Sequence, residues 1–243
     1  MGVLDPAGDV AALVVCDGVS SAPDSDVASL AAARAASTVI LDGIRNATAP
    51  SAEQIRELSA LLARAAVAGN EAVVAATDPD STEENPPSCT FVAAAIDGPL
   101  VVTAWLGDSR AYWLPDDGVA RQLSVDHSWA QEAIAQGMSR FEAERAPHAH
   151  AITRWLGADA PDVAVRSDAM VAHGSGWVLV CSDGLWNYCS PAPDVQALVT
   201  SSIGAVGSDP TTLAAELVRW ANDQGGRDNI TVALARIDPA NHD

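Results

Sequence analysis

Four aspartates stand beside apolar runs at widely separated points of the chain. Residues 178–187 read Val-Leu-Val-Cys-Ser-Asp-Gly-Leu-Trp-Asn, an apolar stretch that stops at Asp183-Gly184. Residues 11–16 run in the same way into Asp17-Gly18, and Leu106-Gly107-Asp108-Ser109 is a polar version of the pattern. Asp228 lies between Arg227 and Asn229, just ahead of the apolar run 230–237. Carboxylates delivered by separate strand ends suit one shared, oxygen-rich centre for magnesium or manganese. Two such ions support phosphoryl transfer when one carboxylate bridges them, others hold each ion, and a water between them is acidified toward a pKa of ~7. A glycine after the acid helps, because a backbone without a Cβ turns sharply and offers its carbonyl to the ion. Taken singly, each Asp-Gly is more simply a turn, and Asp42-Gly43, Asp97-Gly98 and Asp117-Gly118 also occur. Only the ordered set points to chemistry.

The elements that must position these acids follow from patterning. Residues 10–16 form an apolar run of strand length after a polar, turn-like start at 1–9. Asp26 or Ser25 is placed to cap an Ala-rich helix running to about 41, and Ser51 with Gln54 makes a capping-box pattern for a second helix from 52 to about 77. Residues 78–88, rich in proline and acids, read as an exposed connection. Strands are predicted at 90–96 and 100–106, joined by Asp97-Gly98-Pro99, then at 110–114 and 119–123, all in one antiparallel meander. A short helix follows at 129–136, an irregular charged stretch at 137–150, and strands at 163–166 and 177–181. Helices are predicted at 195–200 and from Asp209-Pro210 to about 224, where Gly225-Gly226 ends the second before the last strand.

Composition sets the class. The 243 residues, 49% apolar, suffice for a full core, and we read them as one domain, 1–243. Thirteen Lys and Arg against 32 Asp and Glu leave a net charge of −19, which repels nucleic acid and anionic lipid. No apolar stretch approaches the ~20 residues of a membrane span, and residues 1–10 lack the segments of a signal peptide. A cytoplasmic monomer with no nucleic-acid or membrane partner is expected. Cys16, Cys89 and Cys181 lie in or beside apolar runs and no CxxC pair exists, so buried thiols are expected. Among the histidines only His148 and His150 are close, at a spacing unsuited to one helical face, which argues against a histidine metal site.

The succession Val-Val-Cys-Asp-Gly (14–18), Gly-Asp-Ser-Arg-Ala-Tyr (107–112), Leu-Ser-Val-Asp-His-Ser (123–128), Thr-Arg-Trp-Leu-Gly (153–157), Leu-Val-Cys-Ser-Asp-Gly-Leu-Trp (179–186) and Arg-Asp-Asn-Ile-Thr-Val (227–232) resembles the metal-dependent (PPM-type) protein phosphatases of type 2C, in order and spacing. The resemblance covers residues 10–237 and is to bacterial-like members. It implies an α+β fold, a four-layer α-β-β-α sandwich of two antiparallel sheets flanked by helices. It also implies a serine/threonine phosphoprotein phosphatase that hydrolyses phosphomonoesters by a metal-activated water, acting on phosphoserine or phosphothreonine proteins such as a kinase or its targets. Carried over by position, Asp17 would bridge two ions of Mn2+ or Mg2+, the Gly18 carbonyl would bind one, Asp183 and Asp228 would complete the pair, and Asp108 would serve a weak third. Asn229 would orient Asp228. Arg110, alternating with apolar neighbours, reads as a structural ion-pair partner, and His127 as structural.

The chain also departs from that family pattern. Family members begin with a strand carrying a phosphate-gripping Arg and then an Asn-Glu-Asp run, and neither fits in the sixteen residues ahead of Asp17. Met1 is therefore expected to be an internal methionine, the domain to be incomplete at its amino end, and a sheet edge to lie bare beside residues 10–16. Val19-Ser20-Ser21 excludes a histidine acid after Asp17-Gly18, which leaves protonation of the leaving group to solvent or to a water on the metal. Asn187 stands where some members place an acid for the third ion. The alternative reading is a catalytically impaired phosphatase-like module that binds a regulatory partner. A haloacid-dehalogenase-type aspartyl phosphatase is excluded, since Asp17-Gly18-Val19 is not Asp-x-Asp.

Overall fold

Alternation along the strands decides which layer each residue joins. The computed structural model describes residues 2–4, 10–19, 22–44, 50–77 and 85–238. The chain begins with β1 (Gly2–Leu4), β2 (Val10–Val15), α1 (Ser25–Gly43) and α2 (Ala52–Ala76). It continues through β3 (Ser88–Cys89), β4 (Phe91–Asp97), β5 (Leu100–Leu106), β6 (Arg110–Pro115) and β7 (Arg121–Gln122). Two short helices, α3 (Trp129–Ala135) and α4 (Arg140–Ala143), precede β8 (Leu156–Gly157), β9 (Arg166–Val171) and β10 (Gly176–Cys181). The last part is α5 (Asp183–Trp186), α6 (Ala192–Val206), α7 (Pro210–Gln224) and β11 (Val232–Ile237).

The two main sheets are antiparallel, with strand orders β1-β2-β4-β5-β9 and β11-β10-β6-β7. Leu13, Val15, Val92 and Ala94 point from the first sheet into a shared core, where they meet Trp113, Val178, Val180 and Ala235 of the second. The alternate residues of β2, Val10, Ala12 and Val14, face the other way, against Ala32 and Ala36 of α1 and Leu62 of α2. On the far side Tyr112, Leu179 and Leu234 pack under Val199 of α6 and Leu213 and Leu217 of α7. The result is the expected α-β-β-α sandwich. Each buried Leu or Val contributes on the order of 1.5–3 kcal/mol, so register here is strongly fixed.

The helix ends follow their local chemistry, with one exception. Ser51 accepts from Gln54 N at 3.1 Å, as the capping pattern predicts. The Gln54 amide does not close the box; it reaches Asp97 Oδ2 at 2.6 Å and ties α2 to the β4–β5 turn. Asp209 caps α7 through Thr212 N, and Gly225 and Gly226, both at positive φ, end it. The exception is α1, whose cap is Asp24 in the left-handed region with no side-chain bond, where Asp26 or Ser25 was predicted.

Five expectations need correction. The meander is two structures: β4 and β5 belong to one sheet, β6 and β7 to the other, and the chain crosses between them at residues 107–109. The strand predicted at 163–166 lies instead at Arg166–Val171; Val163 and Val165 are apolar because they pack on the α1/α2 core, not because they pair. The irregular stretch after α3 contains the short helix α4. Residues 2–4, predicted as turn, pair with β2 as Gly2↔Leu13, Val3↔Ala12 and Leu4↔Ala11, so the edge of β2 is not bare there. Finally, α2 is long and apolar enough by length and composition to cross a membrane. Leu58, Leu61, Leu62 and Val73 on one face of it are buried in the α1/α2 core. Most of the 78–88 connection falls outside the described residues.

Candidate metal centre

All four predicted acids, Asp17, Asp108, Asp183 and Asp228, line one open cleft of about 390 Å³, together with Gly18, Val19, Thr90 and residues 150–152. Asp17 hangs from the end of β2, outside the regular ladder but pinned by it. Thr90 N donates to Asp17 O at 2.8 Å, Asp17 N donates to Thr90 Oγ1 at 3.1 Å, and Thr90 Oγ1 shares a hydrogen bond with Ser109 Oγ at 2.7 Å. Thr90 thereby links the Asp17 turn to the Asp108 turn. Asp108 sits where the chain changes sheets. Gly107 makes that crossing at φ +103°, and a Cβ there would lie 2.8 Å from Thr90 Cγ2.

Asp183 and Asp228 are locked to one another by the backbone between β10 and β11. Ser182 N donates to Thr231 O, Thr231 N donates to Ser182 Oγ, and Ser182 Oγ donates to Asn229 O. The two glycines that follow acids serve close approach here, not a left-handed turn. A Cβ on Gly18 would meet Ser25 O at 2.7 Å, and one on Gly184 would collide with Asn229 O. Asp228 is oriented by Asn229 as expected, but through the backbone N–H, which donates to Asp228 Oδ1 at 2.8 Å. Asn187 donates to Asp183 Oδ2 at 3.2 Å.

The electrostatics are those of crowded acids. Burial, then the carboxylates of Asp183, Asp228 and Asp108, push Asp17 up to about 8. Burial, then Asp183, pushes Asp108 up to about 7. Asp183 is also raised, by burial first and then by the Asp228 carboxylate. Asp183 Oδ1 is buried with no hydrogen-bond partner. Among the described residues no three His, Cys, Asp or Glu side chains already stand as a closed set of ligands. The acids converge on a cleft, not a point. A hard divalent cation fits this set: it would satisfy the orphaned Oδ1 and offset the mutual repulsion of the carboxylates.

The residues read as structural are so. Arg110 forks onto Asp126, with Nη2 to Oδ2 at 2.6 Å and Nε to Oδ1 at 2.9 Å, and donates to Ser190 Oγ at 2.6 Å. Its guanidinium lies 3.7 Å over the Trp186 ring. His127 Nδ1 accepts from Gly107 N at 3.1 Å, and burial holds its pKa down to about 4. Three site residues were given no site role by the sequence. Thr90 is one; Trp186, whose indole N–H donates to Asp108 O at 3.0 Å, is the second; His150, on the cleft wall, is the third. The four cysteines are free and buried.

Comparison with known proteins identifies the family of the chain. The family described as protein phosphatase 2C matches residues 3–222. A relative, the serine/threonine phosphatase stp of Listeria innocua, is 31% identical over 223 residues, covering 91% of this chain and 82% of its own. The protein phosphatase PhpP of Streptococcus pneumoniae is 33% identical over 147 residues, covering 60% of this chain and 56% of its own. Among solved structures, the S. agalactiae serine/threonine phosphatase aligns with a TM-score of 0.73 at 25% identity, over 98% of this chain and 91% of that one. The catalytic domain of the serine/threonine phosphatase PstP in complex with two manganese ions aligns with a TM-score of 0.65 at 24% identity, over 98% and 91%.

Proposed function

The chain belongs to the protein phosphatase 2C family and is a protein serine/threonine phosphatase; from that premise we propose that its four-acid cleft hydrolyses phosphoserine and phosphothreonine in proteins with the help of bound manganese or magnesium. The observation that carries the reading is the gathering of Asp17, Asp108, Asp183 and Asp228, from segments far apart in sequence, around one cleft in which they repel one another. Asp17, on which both Asp183 and Asp228 act, would be the carboxylate shared by the two ions. The Gly18 carbonyl, Asp183 and Asp228 would complete the holding of two ions, and Asp108 would serve a weaker third. Divalent ions bound there would acidify an attacking water and neutralise phosphoryl charge.

The chain's own groups fix the geometry of that step. Thr90 and Ser109 hold the Asp17 backbone, and Asn187 and the Asn229 N–H aim the carboxylates of Asp183 and Asp228. Such aiming is what in-line displacement at phosphorus needs. Phosphoproteins made by serine/threonine kinases are the substrate class. The alternative of an impaired binding module finds no support in the comparisons.

The test is hydrolysis of a phosphoserine peptide and of 4-nitrophenyl phosphate with manganese, magnesium or chelator. Turnover should need the metal, stop on chelation and rise with pH as the attacking water ionises. Activity undiminished by exhaustive chelation would sink the reading.

A further inference from the structure

A phosphate dianion bound among four carboxylates needs a directional donor as well as counter-charge, and the sequence holds thirteen arginines and no lysine. Among the described residues, none of those arginines lines the acid cleft. Arg110 is committed to Asp126, Ser190 and the Trp186 face, in a neighbouring cleft of about 320 Å³. Apart from the acids, the side chains lining the acid cleft are aliphatic or glycine except for two, Thr90 and His150. Thr90 Oγ1 already serves Asp17 N and Ser109. His150 alone on that wall carries a nitrogen donor.

Its setting is built. Ala130 N donates to Ala149 O at 3.2 Å and Trp129 N to Ala151 O at 2.9 Å, so the backbone on both sides of His150 is fixed against α3. Its ring stands 6.0 Å from that of Trp186 at a 41° tilt, and Trp186 is anchored to the Asp108 carbonyl. The side chain is exposed and lies where the two clefts adjoin. It makes no hydrogen bond to a described residue.

We propose that His150 is the phosphate-binding donor of this enzyme, its imidazole N–H hydrogen-bonding a non-bridging oxygen of the phosphoryl group held in the acid cleft. Either neutral tautomer, like the imidazolium, presents an N–H, so the role does not depend on a change of protonation. The inference rests on the phosphatase reading above. It gives the gripping of phosphate to the one side-chain nitrogen donor among the described residues that line the cleft.

The test uses the full chain with manganese, 4-nitrophenyl phosphate as substrate and inorganic phosphate as competitive inhibitor. His150→Ala and His150→Phe should raise KM and the phosphate inhibition constant together by about tenfold, with a smaller fall in kcat. His150→Gln, which keeps an N–H donor, should recover part of the loss. Manganese affinity by calorimetry and the melting temperature should not move. Turnover by the parent enzyme with unaltered phosphate inhibition in His150→Ala would overturn this inference alone. Glutamine no better than phenylalanine would overturn it too. A parent enzyme with no manganese-dependent hydrolysis would overturn the phosphatase reading and this inference with it.

Discussion

The two walls of the cleft are made differently. On one, Asp17 and Asp183 hang from β2 and β10, strands whose residues are buried throughout between two layers of packing. On the other, His150, Ala151 and Ile152 belong to a segment of short helices and turns, with only a small core of Ala130, Ala133, Ala143 and Ala149. The acidic wall is stiff because moving one acid means moving a strand inside a sandwich. The opposite wall hangs on a few anchors: Arg110 with Asp126, His127 with Gly107, and the bridge from Ser128 to Ile152. Charge is thus set by the sheets, and recognition by a segment that is attached to them at a few points.

The largest effect should come from the stiff wall. Asp183→Asn should cut turnover by about 100-fold or more at saturating manganese while leaving circular dichroism unchanged. Normal turnover in that variant would mean that the acidic wall does not hold the metal. Next comes the seam between the walls. Arg110→Met leaves Asp126, whose side chain is 7% exposed, buried without its partner. It should cost about 3–5 kcal/mol in denaturant unfolding. Arg110→Lys should recover little, since an ammonium neither forks onto the carboxylate nor stacks on Trp186. A cost near zero for Arg110→Met would show that the seam is not where the walls are tied.

A third expectation separates the walls by the sign of their pH response in chelator. Asp17 titrates near 8 in the folded chain and near 3.8 when unfolded. Its proton therefore stabilises the fold fully below about 4, and that contribution is lost as the pH rises through about 8. Asp17→Asn should flatten this slope. His127 goes the other way: with a folded value of about 4 against 6.5, it destabilises the fold as the pH falls from about 6.5 toward 4, because burial, with Arg154 and Arg166 nearby, disfavours the imidazolium, which also cannot accept from Gly107 N. Melting temperatures from pH 4 to 9 would resolve both. The smallest effect belongs to the exposed pair on α4: Glu144→Ala, which frees Arg140, should change stability by no more than about 0.5 kcal/mol.

Much of the stiff wall was legible in the sequence, because an apolar run that stops at an acid is a one-dimensional signal. So was α7, bracketed by Asp209-Pro210 and Gly225-Gly226. The opposite wall was not. His150 and Trp186 take their places through contacts made only in three dimensions, and His150 was discounted because its spacing from His148 suits no helical face. Gly18 and Gly184 were noticed for a reason the structure replaces, since each makes room for a neighbouring backbone. Val163 and Val165 misplaced β9 because burial under a helix layer and burial within a strand look alike in composition. The switch between sheets at residues 107–109 was hidden because successive strands read the same whether or not they pair.

The Asp17 turn leaves the end of one sheet and the Asp183 turn leaves the end of the other, with Asp108 in the crossing from β5 to β6 that passes between them. A centre so placed does not exist in either sheet alone; it forms only when the two have docked. Ions held there as proposed act by mass action on that docking, adding RT ln(1 + [L]/Kd), about 2.7 kcal/mol at a free concentration 100 times Kd. The cofactor supply would then set the lifetime of the fold as well as its rate of turnover, and a chain starved of manganese or magnesium would come apart first between its layers.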